Sequence, residues 1–392
     1  MTRRVFLIIL DGLGIGDLPD AAEYGDGGCN TLAHVAAAAG PLSLPHLESL
    51  GLARVQPFAG ADDSRAVRGA HGRMAERSRG KDSTSGHWEL AGLIIDRPFP
   101  VYPGGFPPAV MDELARRSGL RFLGNKPASG TEIIAELGEE HLATGRPIVY
   151  TSADSVLQVA AHVDVMPLDE LYAFCETARA VMAGEHAVSR VIARPFAGAP
   201  GAFARTPDRR DYSLPPPGET LLDRLLEAGI PVVGVGKVGD LFAHRGFTRL
   251  VKARGNAEGM ARFADLLRGG ESPGLHFINL VDFDMLWGHR NDPEGYAEGL
   301  RVFDVWLGDF LAGLGPDDRL LITADHGNDP TTPGTDHTRE WVPVLAARPG
   351  LAGAVDLGRR ETFADLAATA AEAFGLGAFG PGRSFWRELE EG

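Results

Sequence analysis

Val5-Phe6-Leu7-Ile8-Ile9-Leu10, closed by Asp11-Gly12, is the stretch that decides the fold. A continuous apolar run with no polar alternation describes a strand covered on both faces, as in the centre of a largely parallel sheet. His276-Phe277-Ile278-Asn279-Leu280-Val281 repeats the pattern and runs into Asp282 and Asp284. Arg319-Leu320-Leu321-Ile322-Thr323 repeats it again and runs into Asp325-His326. Each strand delivers acidic residues just past its end. In open α/β sheets ligands bind outside the carboxyl ends of the strands, so the three segments predict one shared site. Helical stretches fall between them. Thr220 through Glu227 carries Leu221, Leu222, Leu225 and Leu226 at helical spacing, and Thr362 with Asp365 suggests a capping box ahead of Leu366, Ala370 and Phe374. The alternation predicts an α/β architecture.

The middle of the chain differs. It is entered through Asp96-Arg97-Pro98-Phe99-Pro100 and Pro107-Pro108, and left through Thr206-Pro207 and Pro215-Pro216-Pro217-Gly218. Proline-rich stretches of this kind mark domain boundaries. Between them, Leu168 to Met182 reads as an amphipathic helix with Leu171, Cys175, Ala178 and Met182 on one face, and Ile148-Val149-Tyr150-Thr151-Ser152 reads as a strand. The expected layout is a core domain, residues 1–96 and 218–392, with a cap domain, residues 97–217, inserted into it.

The 392 residues are 44% hydrophobic and 23% charged, enough for a sizeable core and long enough for two domains. Thirty-eight basic residues stand against 53 acidic ones, a net charge of −15. That balance suits solubility and a carboxylate-rich site, and with no basic cluster it argues against a nucleic-acid partner. An anionic substrate would then be captured by local Arg and Lys together with metal ions. The two cysteines, Cys29 and Cys175, lie far apart; they exclude a disulfide framework or a Cys-rich zinc site and suit a reducing cytoplasm. Thr2-Arg3-Arg4 before Val5 to Leu10 has the look of a signal peptide. The apolar run is too short for one, or for a membrane span, so no membrane association is expected.

The strongest chemical signal is the set Asp11, Asp284, His289, Asp325, His326 and His337. Carboxylates mixed with imidazoles suit Mn²⁺, Zn²⁺ or Fe²⁺ better than Mg²⁺ or Ca²⁺. Six such ligands can hold two ions, about 3.5–4 Å apart as in two-metal sites generally. An Asp-His pair after a strand is by itself an ordinary surface turn, and Asp11 alone an ordinary helix cap. Their joint placement at strand ends is what points to a metal pair.

Gly80-Lys81-Asp82-Ser83-Thr84-Ser85-Gly86-His87-Trp88-Glu89 offers three hydroxyls entering a helix. A metal can lower a hydroxyl's pKa for attack on phosphorus, and a helix N-terminus favours phosphate. Chemistry alone does not choose among Ser83, Thr84 and Ser85, and the same segment would serve as a plain capped turn.

Taken together, these segments resemble the phosphopentomutase family of the alkaline phosphatase superfamily. The resemblance rests on Ile9-Leu10-Asp11-Gly12-Leu13-Gly14-Ile15-Gly16, on Gly80-Lys81-Asp82-Ser83 with Gly86-His87-Trp88-Glu89, and on Tyr150-Thr151-Ser152-Ala153-Asp154-Ser155-Val156-Leu157-Gln158. It continues in Ile192-Ala193-Arg194-Pro195-Phe196, Asn279-Leu280-Val281-Asp282-Phe283-Asp284 with Gly288-His289-Arg290, and Thr323-Ala324-Asp325-His326-Gly327-Asn328-Asp329-Pro330. It covers nearly the whole chain.

The resemblance implies an alkaline-phosphatase-like core, with a mixed, largely parallel sheet flanked by helices, and an inserted smaller α/β cap. It implies an isomerase that interconverts ribose 1-phosphate or 2-deoxyribose 1-phosphate with the 5-phosphate. Two Mn²⁺ are implied, one held by Asp284, His289 and His337, the other by Asp11, Asp325, His326 and the nucleophile. That nucleophile is the hydroxyl directly after Gly-Lys-Asp, phosphorylated in the active form and formed with a sugar bisphosphate activator. Here it is Ser83, where the family usually has threonine. Ser152 and Asp154 match the family's sugar contacts. Arg190, Arg205 and Lys237 fall near its basic substrate residues, with Arg194 and Arg209 competing for those roles.

Two other readings share these residues. A metal-dependent phosphatase or a cofactor-independent phosphoglycerate mutase would use the same core, and the cap's Thr-Ser-Ala-Asp-Ser stretch argues against both. A non-enzymatic sugar-phosphate-binding protein would be expected to have lost a ligand or the nucleophile, and none is missing.

Overall fold

The computed structural model describes residues 3–152, 154–270 and 272–392; Thr2 of the basic start and Ala153 of the Thr-Ser-Ala-Asp-Ser stretch lie outside the described residues. The chain divides into two compact units: the residues up to Arg97 together with Pro216–Gly392, and Pro98–Pro215.

The first unit is built on an eight-stranded mixed sheet. Its spatial order is Arg249–Val251, Val232–Val235, Gly274–Leu280, Arg4–Leu10, Asp318–Thr323, Val342–Ala347, Ala70–Met74 and Val355–Arg360. The first five strands run parallel; Val342–Ala347 is antiparallel to both its neighbours. The three apolar runs are adjacent, with Arg4–Leu10 in the middle and buried from Val5 to Leu10. Their register fixes where the acidic residues emerge. Leu10 pairs with Leu280 and Ile9 with Thr323, so the three strands end level and their acidic successors leave at one edge.

Aromatic packing fixes the flanking helices. Phe6 meets Phe263 of the helix Gly255–Arg268 and Phe310 of the helix Pro293–Ala312 edge-on, at 5.6 and 5.3 Å between ring centres. The helix Leu221–Glu227 begins with a capping box in which Thr220 and Asp223 exchange side-chain-to-backbone bonds. The box expected at Thr362 and Asp365 does not form. The helix there is Ala364–Ala373, with no side-chain cap at Phe363. Thr362 Oγ1 instead donates to Glu89 Oε1 (2.7 Å), and Asp365 Oδ1 accepts from Arg383 N (2.7 Å). Thr362 Oγ1 still accepts locally, from Ala364 N (3.1 Å), but Asp365 is turned to Arg383, so the reciprocal pair does not form.

The second unit carries a six-stranded sheet ordered Leu123–Pro127, Ile148–Thr151, Val156–His162, Arg190–Ala197 and Ala204–Arg205, with Arg210–Ser213 also pairing with Arg190–Ala197. Val156–His162 is buried throughout. One apolar cluster lies under the helix Leu168–Val181 and takes in Leu171, Cys175, Ala178 and Met182; another gathers Ile133, Ile134, Tyr150 and Phe196. Among the described residues no helix is long and apolar enough to cross a membrane.

Candidate metal centre

Asp11, Asp284, Asp325 and His326 emerge just past the ends of buried strands. Gly12 adopts φ +80°, which turns the chain directly after Asp11, and its N–H donates to Asp325 Oδ1 (3.2 Å). Beyond Gly274–Leu280 the chain forms a π-helical turn, Phe283–Trp287, then a 3₁₀ turn, Gly288–Arg290, bringing Asp284 and His289 to the same edge. Asp282 faces elsewhere: its carboxylate accepts from Asn256 N (2.6 Å) and secures the start of the helix Gly255–Arg268. The Gly327–Thr338 bridge folds His337 back toward His326, with ring centres 4.0 Å apart.

Asp11, Asp284, Asp325 and His326 are buried; His289 and His337 are half-buried. His326 Nε2 lies 3.3 Å from both Asp11 Oδ1 and Asp325 Oδ2. Asp284 receives two imidazoles, His289 Nε2 at Oδ2 (3.1 Å) and His337 Nε2 at Oδ1 (3.3 Å). Two sets offer ligand atoms within 4.8 Å of one another, Asp11 with Asp325 and His326, and Asp284 with His326 and His337. His326 therefore belongs to both sets, and His289 stands beside the second, on Asp284.

The donor set fits divalent cations. His326 Nδ1 donates to Gly327 O (3.0 Å) and His289 Nδ1 to Thr335 O (2.6 Å). In the neutral rings both Nε2 atoms then turn lone pairs toward carboxylates, the arrangement metal-ligating histidines adopt. Asp11 Oδ1, Asp325 Oδ2 and His337 Nε2 are buried without a hydrogen-bond partner. Burial, and then the charges of Asp325 and Asp284, push the Asp11 carboxyl up to about 6. Burial raises Asp284 as well, but the charged forms of His337, His289 and His326 outweigh it and hold the carboxyl well below the usual range. Buried acceptors facing acceptors cost free energy unless a cation lies among them.

Ser83 opens the helix Ser83–Leu90, which Asp82 caps by accepting from Thr84 N (3.0 Å) and Ser85 N (3.1 Å). Ser83 Oγ stands 3.1 Å from His326 Nε2. Ser85 Oγ turns away to Asp82 O (3.0 Å) and Glu76 Oε1 (3.3 Å), and Thr84 is buried. The helix approaches so closely that a Cβ on Gly86 would sit 2.1 Å from Asp325 O, so only glycine fits there.

With this geometry the chain can be set beside known proteins. A family model of the metalloenzyme superfamily matches residues 3–378. The phosphopentomutase of Carboxydothermus hydrogenoformans is 55% identical over 389 residues, spanning 99% of this chain and 100% of that one. The phosphopentomutase of Anaeromyxobacter dehalogenans is 56% identical over 377 residues, spanning 96% of each chain. The chain belongs to the phosphopentomutase family. It is accordingly an enzyme, an isomerase within the metalloenzyme superfamily. Among solved structures, a phosphoglycerate mutase of Leishmania mexicana superposes with a TM-score of 0.46 at 15% identity, over 97% of this chain and 96% of that one, too loosely for any inference to rest on it.

Several polar groups of this phosphopentomutase family member escape a reading of the sequence. Asn279 Nδ2 donates to Asp11 Oδ2 (2.7 Å) and Asn328 Nδ2 to Asp284 Oδ1 (2.6 Å), orienting two of the carboxylates. His87 Nδ1 lies 2.8 Å from Ser83 O and 3.0 Å from Asp325 Oδ2. Glu340 accepts from Thr31 N (2.9 Å), Thr31 Oγ1 (2.7 Å), Thr338 Oγ1 (2.7 Å) and Gly16 N (3.0 Å). Asn279, Asn328 and His87 stand inside motif segments of the sequence, but nothing there shows which carboxylate each one meets.

The remaining residues singled out from the sequence are spread over both units. Lys237 is exposed in the first unit, with Nζ 3.4 Å from Met285 Sδ, next to Asp284. In the second unit Ser152 is half-buried and Asp154 exposed just past the strand Ile148–Thr151. Arg190 stands 3.7 Å from Asp211, which Arg209 also pairs at 2.6 Å. Arg194 Nε donates to Gln158 (3.1 Å). Burial pushes the Tyr150 hydroxyl above its ordinary value, against the opposing charges of Arg194, Arg205 and Arg209.

Proposed function

We propose that this enzyme interconverts ribose 1-phosphate, or 2-deoxyribose 1-phosphate, with the corresponding 5-phosphate through a phosphorylated Ser83. The observation that supports the reading most is the 3.1 Å approach of Ser83 Oγ to His326 Nε2 beside buried carboxylates, in a chain of this family. Asp11, Asp325, His326 and Ser83 would hold one divalent ion; Asp284, His289 and His337 would hold the other, with His326 near both. Mn²⁺ suits this carboxylate–imidazole set. When bound, the ion pair supplies positive charge that favours the serine alkoxide and the transferring phosphoryl group.

Phosphoserine 83 gives its phosphoryl group to the free hydroxyl of the sugar phosphate: the P–Oγ bond breaks and a sugar O–P bond forms. The bisphosphate turns end for end and returns its other phosphoryl group to Ser83. The proton lost by the sugar hydroxyl in one half is regained by the departing sugar oxygen in the other. A sugar bisphosphate would load the serine initially. We assign residues 97–217 as a cap that keeps water from the phosphoserine. Ser152 and Asp154 would meet the sugar hydroxyls, and Arg190, Arg205 and Lys237 the remote phosphate, whose binding orients the reacting one. The two free, buried cysteines suit work in the cytoplasm.

The test is a coupled assay of ribose 5-phosphate formation from ribose 1-phosphate, run with Mn²⁺ and a sugar bisphosphate, beside a phosphatase assay on a small generic ester. The reading expects isomerisation to dominate. Hydrolysis alone would favour a metal-dependent phosphatase.

A further inference from the structure

Two residues beyond His337, Arg339 is 2% exposed and all three of its guanidinium nitrogens donate. Nη1 reaches Glu76 Oε2, Ser78 O and Gly80 O, each at 2.8 Å; Nη2 reaches Glu76 O (2.9 Å) and Asp20 Oδ2 (3.1 Å); Nε reaches both Asp20 oxygens at 3.3 Å. The guanidinium also lies over the Tyr24 ring, 5.0 Å from its centre. Three of the acceptors are backbone carbonyls of one segment, 76–80, which joins the strand Ala70–Met74 to the helix that Ser83 opens.

The stitching runs in the other direction too. Lys81 Nζ pairs with Asp26 Oδ2 (3.0 Å) and with Asp336 Oδ2 (3.1 Å), the residue before His337. Asp26 Oδ2 also accepts from Arg339 N (2.9 Å). The loop that brings His337 to the carboxylates and the segment that brings Ser83 to them are thus clamped together from both sides. Slack is small, since a Cβ on Gly80 would lie 2.4 Å from Ser85 Oγ. A lysine could neutralise Glu76, but it has three mobile donors in place of a planar fork and could not hold carbonyls 76, 78 and 80 at once.

We propose that Arg339 is the positioning residue that sets the approach of Ser83 to the metal centre. It does so by holding segment 76–80 against the His337 loop. The proposal rests on the reading of Ser83 as the phosphoryl carrier. Misplacing a nucleophile by about 1 Å costs on the order of 10²-fold in rate with little effect on binding.

The experiment compares wild type, Arg339→Lys and Asp20→Ala in the full-length, Mn²⁺-loaded enzyme. Metal content, thermal unfolding, kcat and KM are measured for each. The expected result is a folded Arg339→Lys enzyme with wild-type metal content, a KM within about threefold of wild type and kcat lower by roughly 10²-fold. Asp20→Ala removes only the more exposed anchor and should show the same kcat-selective loss, smaller in size. It carries the test if Arg339→Lys does not fold. A kcat within threefold of wild type in the folded variants, or a loss that tracks metal content or KM, overturns the positioning role. An inactive wild type would instead overturn the proposed function, and this inference with it.

Discussion

Ser83 Oγ lies 3.1 Å from His326 Nε2, and the same nitrogen lies 3.3 Å from Asp11 and from Asp325. One hydroxyl thus shares a point with two carboxylates and an imidazole, while Ser85 is committed to Asp82 and Glu76. Ser83→Ala should lower mutase activity by at least roughly 10³-fold, as loss of a nucleophile commonly does, whereas Ser83→Thr keeps a hydroxyl and should stay active. Phosphopeptide mapping after incubation with a sugar bisphosphate should find the label on Ser83. Label on Thr84 or Ser85 in an active Ser83→Ala enzyme would contradict this.

Asn328 holds Asp284 Oδ1 at 2.6 Å. Groups that orient a metal ligand commonly contribute about 10–100-fold in metal affinity or activity. Asn328→Ala should therefore raise the Mn²⁺ concentration needed for half-maximal activity by that factor while leaving the fold intact. A metal titration of activity, with circular dichroism alongside, measures both.

Chelation should abolish activity, and Mn²⁺ should restore it. Ions that bind only the native protein also stabilise it, by about 2.7 kcal/mol at a hundredfold excess over Kd. Thermal unfolding with and without EDTA should show the chelated enzyme melting lower. An unchanged Tm on adding Mn²⁺ would mean that the site does not hold it.

Asp154→Ala or Arg205→Ala should lower mutase activity much more than hydrolysis of a small generic phosphate ester, which has no remote phosphate to anchor. Parallel losses in both assays would make these residues structural.

The strands and their acidic ends were legible because burial on both faces leaves an unbroken apolar run, as in Val5 to Leu10. Leu171, Cys175 and Ala178 announced their helix by spacing alone. What the sequence hid were polar groups whose meaning depends on a distant partner. Asn279, Asn328, Glu340 and Arg339 give no sign of their partners until the fold brings them to Asp11, Asp284, Thr31 and Gly80. The Thr362–Asp365 box fails for the same reason: Asp365, which would have to reach back to the cap, accepts from distant Arg383 instead. Likewise the order of hydroxyls in Ser83-Thr84-Ser85 does not reveal which one faces His326. The turn of the helix behind Asp82 does.

The central claim is transfer between two sugar oxygens without loss to water, and ³¹P NMR of ribose 1-phosphate incubated with the Mn²⁺-loaded enzyme and a trace of sugar bisphosphate tests it most directly. The account predicts that the C1 ester signal is replaced by the C5 ester signal while total ester phosphate stays constant. Inorganic phosphate appearing as fast as the C1 ester disappears would contradict it.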